Sequence, residues 1–217
     1  MAPLTSDQHG IEKKLIGTLL EMMIHELGNP LQSLTMLVEL SLVGLRETDG
    51  SPERAIARLE RAFESTDRLQ RLVHAGGRVG RMFETDSTRS LADQLDPLVD
   101  LFNGWLARRR VNLVRDTSPI DGALAACVQV QALAWLLLGA GEAVRSARLP
   151  AATLLLVGRR EDGIHELAVI LEQPDGTRMR QPSEPVRNAA CMLASAGELI
   201  ERPDGEVTLR CRSPGPN

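Results

Sequence analysis

The chain has 217 residues, 43% hydrophobic and 25% charged, enough for one or two domains with a proper core, which excludes a bare peptide or a disulfide-stapled miniprotein. Only 2% of residues are aromatic, and 25 Lys and Arg against 29 Asp and Glu leave a net charge of -4, so the chain offers few base-stacking platforms and no cationic attraction to nucleic acid or an anionic membrane. Cys127, Cys191 and Cys211 form no CxxC pair and read as small buried hydrophobes in a reducing compartment. The opening MAPLTSDQHGIEKK has no basic segment leading into an apolar one. The longest apolar stretch, residues 132–140, falls far short of the roughly 20 residues that span a bilayer. The expectation is a cytoplasmic protein with neither nucleic acid nor membrane as a partner.

Between residues 11 and 46 the only helix breakers are Gly17, Gly28, Pro30 and Gly44. Apolar residues recur at Ile16, Leu20, Met23, Leu27, Leu31, Leu34, Val38, Leu42 and Leu45, steps of three and four that mark one stripe of a long helix. Thr48, Asp49, Gly50, Ser51 and Pro52 then combine a C-terminal glycine, a serine N-cap and a proline at the first helical position, which ends one helix and starts the next. The second helix carries Ile56, Leu59, Phe63, Thr66, Leu69, Leu72 and Val79 on its apolar side. Its arginines, Arg54, Arg58, Arg61, Arg68 and Arg71, alternate with Glu60, Glu64 and Asp67 and read as a solvated, ion-paired face. A lone hairpin cannot bury both stripes, which predicts a dimeric four-helix bundle packed at roughly 20 degrees. Packing on the rest of its own chain is the second arrangement open to it.

The polar stretch 84–89 is the predicted boundary between a helical hairpin, residues 1–85, and a mixed α/β domain, residues 90–217. A helix is predicted over 91–109, a strand over 111–114, and a helix over 130–145 whose central turns are almost wholly apolar. Strands follow at 153–157, 166–171 and 207–211, with a helix over 186–200 between the last two. That order lays helices on one face of a mixed sheet, so the fold class is α+β. The SPGPN tail should fray.

His25 lies in the middle of the first helix. Glu21, His25, Asn29, Gln32, Met36 and Glu39 follow one another by steps of four, four, three, four and three, forming a second, mostly polar face. A histidine on that face is open to react, whereas one on the apolar stripe would be core. Neutral imidazole is a competent nucleophile toward a phosphoryl group, and a carboxylate on its other ring nitrogen fixes the tautomer and stabilises the imidazolium; the adjacent Glu26 is the candidate. Asn29, one turn on, can orient a phosphoryl oxygen or a water. Pro30 removes a helical N–H and collides with the carbonyl of Glu26, which predicts a bend or loosening there. His25-Glu26 opens like the zinc-protease HExxH, but Asn29 stands where the second histidine belongs, so a metal site lacks a ligand. His165-Glu166 reads as a polar pair at a strand entrance, and Gly139-Ala140-Gly141 lies inside an apolar helix rather than after a strand, so neither marks a site.

The run His25-Glu26-Leu27-Gly28-Asn29-Pro30-Leu31 resembles the phosphoacceptor H-box of bacterial sensor histidine kinases. In that family the box sits on the first helix of a dimeric hairpin and an ATP-binding α/β domain follows. The resemblance implies a DHp-like dimeric four-helix bundle over 1–85 and a degenerate ATPase-like (CA-like) α/β sandwich over 90–217. The departures lie in the second domain. Where the kinases carry an LLxNAxxA box that holds Mg-ATP, this chain reads Leu136-Leu137-Leu138-Gly139-Ala140-Gly141-Glu142-Ala143, with Gly139 in the asparagine's place. In the family's Asp-x-Gly-x-Gly box, Glu172 and Pro174 replace the aspartate and first glycine, and the lid region Ser183-Glu184-Pro185-Val186-Arg187-Asn188-Ala189-Ala190 has no glycine.

Without backbone N–H groups to cradle phosphates or an amide for Mg²⁺, no cofactor is expected. A phosphorylatable histidine on such a frame resembles the degenerate-kinase histidine phosphotransferases of the ChpT type. That implies a phosphorelay role in which His25 accepts a phosphoryl group from one receiver-domain aspartate and passes it to another, with Glu26 orienting the ring and Asn29 assisting. A receiver would dock near His25, touching Met22, Gln32, Met36 and Arg71. The implied partners are a second copy of the chain, response-regulator receiver domains and a hybrid histidine kinase. Three other functions stay open: a non-catalytic dimeric scaffold for receivers or kinases, a kinase with a divergent ATP site, and a phosphatase acting through Asn29 and a water.

Overall fold

Two long helices open the chain. Helix α1 (Ser6–Arg46) runs 41 residues and continues through Pro30, so the loosening expected there does not interrupt it. Pro30 is buried, one turn beyond Glu26 on the same inward row. Helix α2 (Pro52–Gly80) begins as its sequence dictates, with Pro52 at the first position and the Ser51 hydroxyl accepting from the Arg54 N–H at 3.4 Å. The structure, a computed structural model, describes residues 5–46, 51–83, 89–125, 127–161, 163–194 and 196–212. The expected glycine stop at Gly50, most of the polar boundary at 84–89 and the SPGPN tail lie outside the described residues.

A 3-10 turn (Arg81–Phe83) closes the hairpin, and the remainder reads β1 (Arg89–Ser90), α3 (Leu91–Arg108), β2 (Val111–Asp116), β3 (Leu124–Ala125), α4 (Cys127–Ser146), β4 (Ala152–Glu161), β5 (Ile164–Glu172), β6 (Arg178–Met179), α5 (Ser183–Leu193), β7 (Gly197–Glu201) and β8 (Val207–Arg212). The main sheet is ordered β2-β4-β5-β8-β7, with β6 paired to β5 and a separate β1-β3 pair. β2 and β4 run parallel, in register from Val111 opposite Ala152; the other pairs are antiparallel. The α+β class is as read from the sequence. The predicted helix over 186–200 is corrected: α5 stops at Leu193, and residues 197–201 form β7. Gly197 lies opposite Cys211, and a Cβ there would stand 2.4 Å from the Arg210 carbonyl oxygen. Only glycine lets the chain approach β8 that closely, so the segment that continues the apolar spacing of α5 joins the sheet instead.

The core lies between the sheet and the helices. Ala152, Leu154 and Leu156 of β4, Leu167, Val169 and Leu171 of β5, and Val207 and Leu209 of β8 face α3, α4 and α5 in one apolar cluster. Helix α4 is buried without a break from Val130 to Gly141, which explains its composition. By length and hydropathy it could cross a membrane, yet 89% of its most apolar window is enclosed by the fold. Close packing also explains the two glycines of α4. A Cβ on Gly141 would stand 2.3 Å from the Trp105 ring, and one on Gly139 would stand 2.8 Å from Gln181 Oε1 and 2.9 Å from Pro185.

The hairpin packs onto the rest of its own chain. Leu15, Leu19 and Met22 of α1 and Val79 of α2 belong to the same apolar cluster as α3 and α4. Polar ties reinforce the contact: Gln8 Nε2 donates to the Cys191 carbonyl at 2.9 Å, Gln131 Nε2 donates to Glu12 at 3.0 Å, and Lys14 pairs with Glu184. Met22, expected on the receiver footprint, is therefore corrected to a core residue, 4% exposed. The stripe expected to form the core of α1 faces outward over much of its length, with Leu20, Leu31, Leu42 and Leu45 exposed, as are Ile56, Leu59 and Phe63 of α2.

Candidate functional site

The polar face of α1 is open along its length: Glu21, His25, Asn29, Gln32, Met36 and Glu39 are all exposed. The 3.6-residue repeat places them on one side of a straight rod, with the buried row Leu15, Leu19, Met22, Glu26 and Pro30 turned away from them. His25 has no side-chain hydrogen-bond partner among the described residues. Its imidazole is free to meet an incoming group. On α2, Arg71 is exposed and lines a cleft of about 220 Å³ with Arg68, Leu72, Asp100, Asn103 and Gly104. Of the four residues assigned to a receiver footprint, Gln32, Met36 and Arg71 are on the surface and Met22 is not.

Glu26 is placed differently from the expectation. It is fully buried and points into the contact with α3, where Arg108 Nη1 donates to its Oε2 at 2.7 Å and Arg108 Nη2 meets its Oε1. One oxygen, Oε2, thus accepts a hydrogen bond from the guanidinium, while the buried Oε1 is met by the same group as an ion-pair contact without a hydrogen bond of its own. Desolvation by the surrounding protein holds the Arg108 pKa below its ordinary value, so the pair sits in a partly dry setting. Glu26 does not bond the His25 ring, and the assignment of an orienting carboxylate is corrected on that point. Successive residues of a helix lie about 100 degrees apart, and here that rotation separates a solvent-facing histidine from an inward-facing glutamate. Arg108 escaped the sequence reading because it lies 82 residues from Glu26, and an arginine at a helix C-terminus is ordinarily a surface residue that complements the helix dipole.

In the second half, α5 packs against α4. Gln181 and Pro185 occupy the space that a side chain at Gly139 would need. Gln181 is 7% exposed. Two of the thiols are held protonated by their surroundings: burial, with the charge of Glu12, pushes Cys127 up to about 11, and burial pushes Cys211 up to about 12.

No family model matches the sequence, and no curated protein matches it. Solved structures do resemble it. A structure described as a bacterial phosphotransferase aligns over 97% of this chain and 98% of its own with a TM-score of 0.51 at 12% identity. The histidine kinase AdeS of Acinetobacter baumannii aligns over 88% of this chain and 98% of its own, TM-score 0.47, at 11% identity. The kinase domain of a blue-light activated histidine kinase from Erythrobacter litoralis aligns over 82% and 95%, TM-score 0.45, at 15% identity. At 12% identity the likeness to the phosphotransferase structure is one of fold alone: a long N-terminal helical region followed by a mixed sheet with helices.

Proposed function

We propose that the protein is a histidine phosphotransferase of a two-component phosphorelay, a degenerate kinase of the ChpT type, which passes a phosphoryl group between receiver-domain aspartates through His25 without ATP. One observation carries this reading: an exposed His25 in an H-box-like run stands on a kinase-like frame whose asparagine position is a glycine closed over by Gln181 and Pro185. In the transfer, an unprotonated ring nitrogen of His25 attacks the phosphorus of the receiver's acyl phosphate. The P–N bond forms as the P–O bond to the aspartate breaks, the carboxylate leaves, and the other ring nitrogen keeps its proton. The reverse step, with a second receiver carboxylate as nucleophile, regenerates neutral imidazole. Asn29, exposed one turn beyond His25, is suitably placed to donate to a phosphoryl oxygen.

The working unit in this reading is a dimer. Ile24 (67% exposed), Leu31, Leu42, Leu45, Ile56 and Phe63 (70% exposed) leave an apolar surface on the hairpin larger than scattered surface residues explain, and a second copy covers it in a four-helix bundle. The test incubates the protein with a panel of phosphorylated receiver domains and follows phosphohistidine on wild type and on His25→Ala, with Mg-ATP alone as control. Label on wild type only, and none from ATP, is the expected result. Label from ATP restores a kinase, and no label from any receiver leaves a scaffold.

A further inference from the structure

A fully buried carboxylate one residue from an exposed histidine needs a counter-charge, and α3 supplies it through a built receptacle. Arg108 Nη1 donates to Glu26 Oε2 at 2.7 Å, and its Nη2 forms the ion-pair contact with Oε1. Gly104, one turn earlier on α3, provides the clearance: a Cβ there would stand 2.9 Å from Glu26 Oε2 and 3.4 Å from Arg68 Nη2. Two features of α3, an arginine and a glycine four residues apart, thus serve one side chain of α1. We infer that Arg108 is a positioning residue for His25: by gripping Glu26 it fixes the turn of α1 that carries the histidine against the second half of the chain. Insofar as it concerns phosphotransfer, this inference rests on the function proposed above. It gives the ATPase-like half a task that needs no nucleotide, that of setting the direction in which the imidazole faces an incoming receiver. It also gives Glu26 a role that acts through α3 rather than on the ring.

If Arg108 acts through Glu26, removing both partners does no more harm than removing either. The experiment measures phosphohistidine formation from a phosphorylated receiver on the full chain, at several receiver concentrations, for Arg108→Met, Glu26→Gln, the double variant and Arg108→Lys. The expected result is a fall in kcat of about 10- to 100-fold for Arg108→Met with the receiver KM unchanged, since a misdirected reacting group loses rate of that order. The double variant should match the worse single variant, and Arg108→Lys should recover part of the rate by keeping one charged donor. A rise in KM instead, losses that multiply in the double variant, or an unchanged kcat overturns the inference.

A second readout is independent of catalysis. The His25 ring resonances, identified by their loss in His25→Ala, should shift in Arg108→Met, and amides of residues 22–30 should exchange faster while those of α4 keep their protection. Unchanged resonances and protection overturn the positioning role even if no receiver labels the wild type, an outcome that would by itself remove only the phosphotransferase reading.

Discussion

At positions 139 and 141 helix α4 presents only hydrogen atoms to its neighbours, and the two glycines receive Pro185 and Trp105. Gly139→Asn introduces an amide at this position, yet its Cβ would meet Pro185, whose ring cannot swing aside as a flexible chain can. The expected outcome is a loss of about 1–3 kcal/mol of stability, the usual effect of overfilling a packed site, and no upward shift of the melting temperature in Mg-ATP. Chemical denaturation and thermal melts with and without nucleotide check both. A second residue sets a pH limit. Burial tends to raise the Glu206 pKa, but hydrogen bonds from Arg159 and Thr208 and the charges of Arg159 and Arg202 outweigh it, leaving the carboxyl below its ordinary 4.5. A depressed folded value means the stabilisation is fully present above about pH 4.5 and disappears as pH falls through the folded pKa. Urea unfolding between pH 3 and 6 should show wild type losing stability in that window and Glu206→Gln responding less. Among the site residues, exposure of His25 and Asn29 was legible, because steps of four and three define a face whatever packs elsewhere. The burial of Glu26 was not, because a charge on a helix reads as solvated until a partner 82 residues away is known.

Among the elements, the hairpin was legible from its stripe length and from the Ser51-Pro52 restart, which act locally. Which row of α1 meets the second half was not. Leu15, Leu19, Met22, Glu26 and Pro30 form the buried row, but a glutamate and a proline interrupt its apolar character, whereas Leu20, Leu31, Leu42 and Leu45 of the more uniformly apolar stripe stay outside. Hydrophobic spacing identifies a face to be covered without saying what covers it. The α5–β7 region failed for a related reason, since residues 197–201 pair with β8, a contact that helical spacing does not reveal. Helix α3 carries both Gly104 and Arg108, so its start matters to the site. The Ser90 hydroxyl accepts from the Asp93 N–H at 3.2 Å and caps it. Ser90→Ala should cost about 1 kcal/mol, seen as a lower urea midpoint with an unchanged m-value.

For the whole molecule, the outward apolar row is the feature that a monomer leaves unexplained. Phe63 and Ile24 are its most exposed members, and a charge at either cannot be covered by a second hairpin without loss. Light scattering should find wild type at twice the mass of one chain at micromolar concentration, with Phe63→Glu and Ile24→Glu shifted toward the monomer. A monomeric wild type would remove the four-helix bundle from the proposal.

The contact of Leu15, Leu19, Met22 and Val79 with α3 and α4 also bears on how the chain is born. Synthesis delivers the hairpin first, so until α4 has left the ribosome its inner row has no cover, and before a second chain arrives its outer row has none either. The nascent hairpin is therefore greasy on two sides at once. The segment that looks most like an independent module is the one that should be hardest to express alone, and chaperone demand should peak after the hairpin emerges and fall once residue 146 has cleared the exit tunnel.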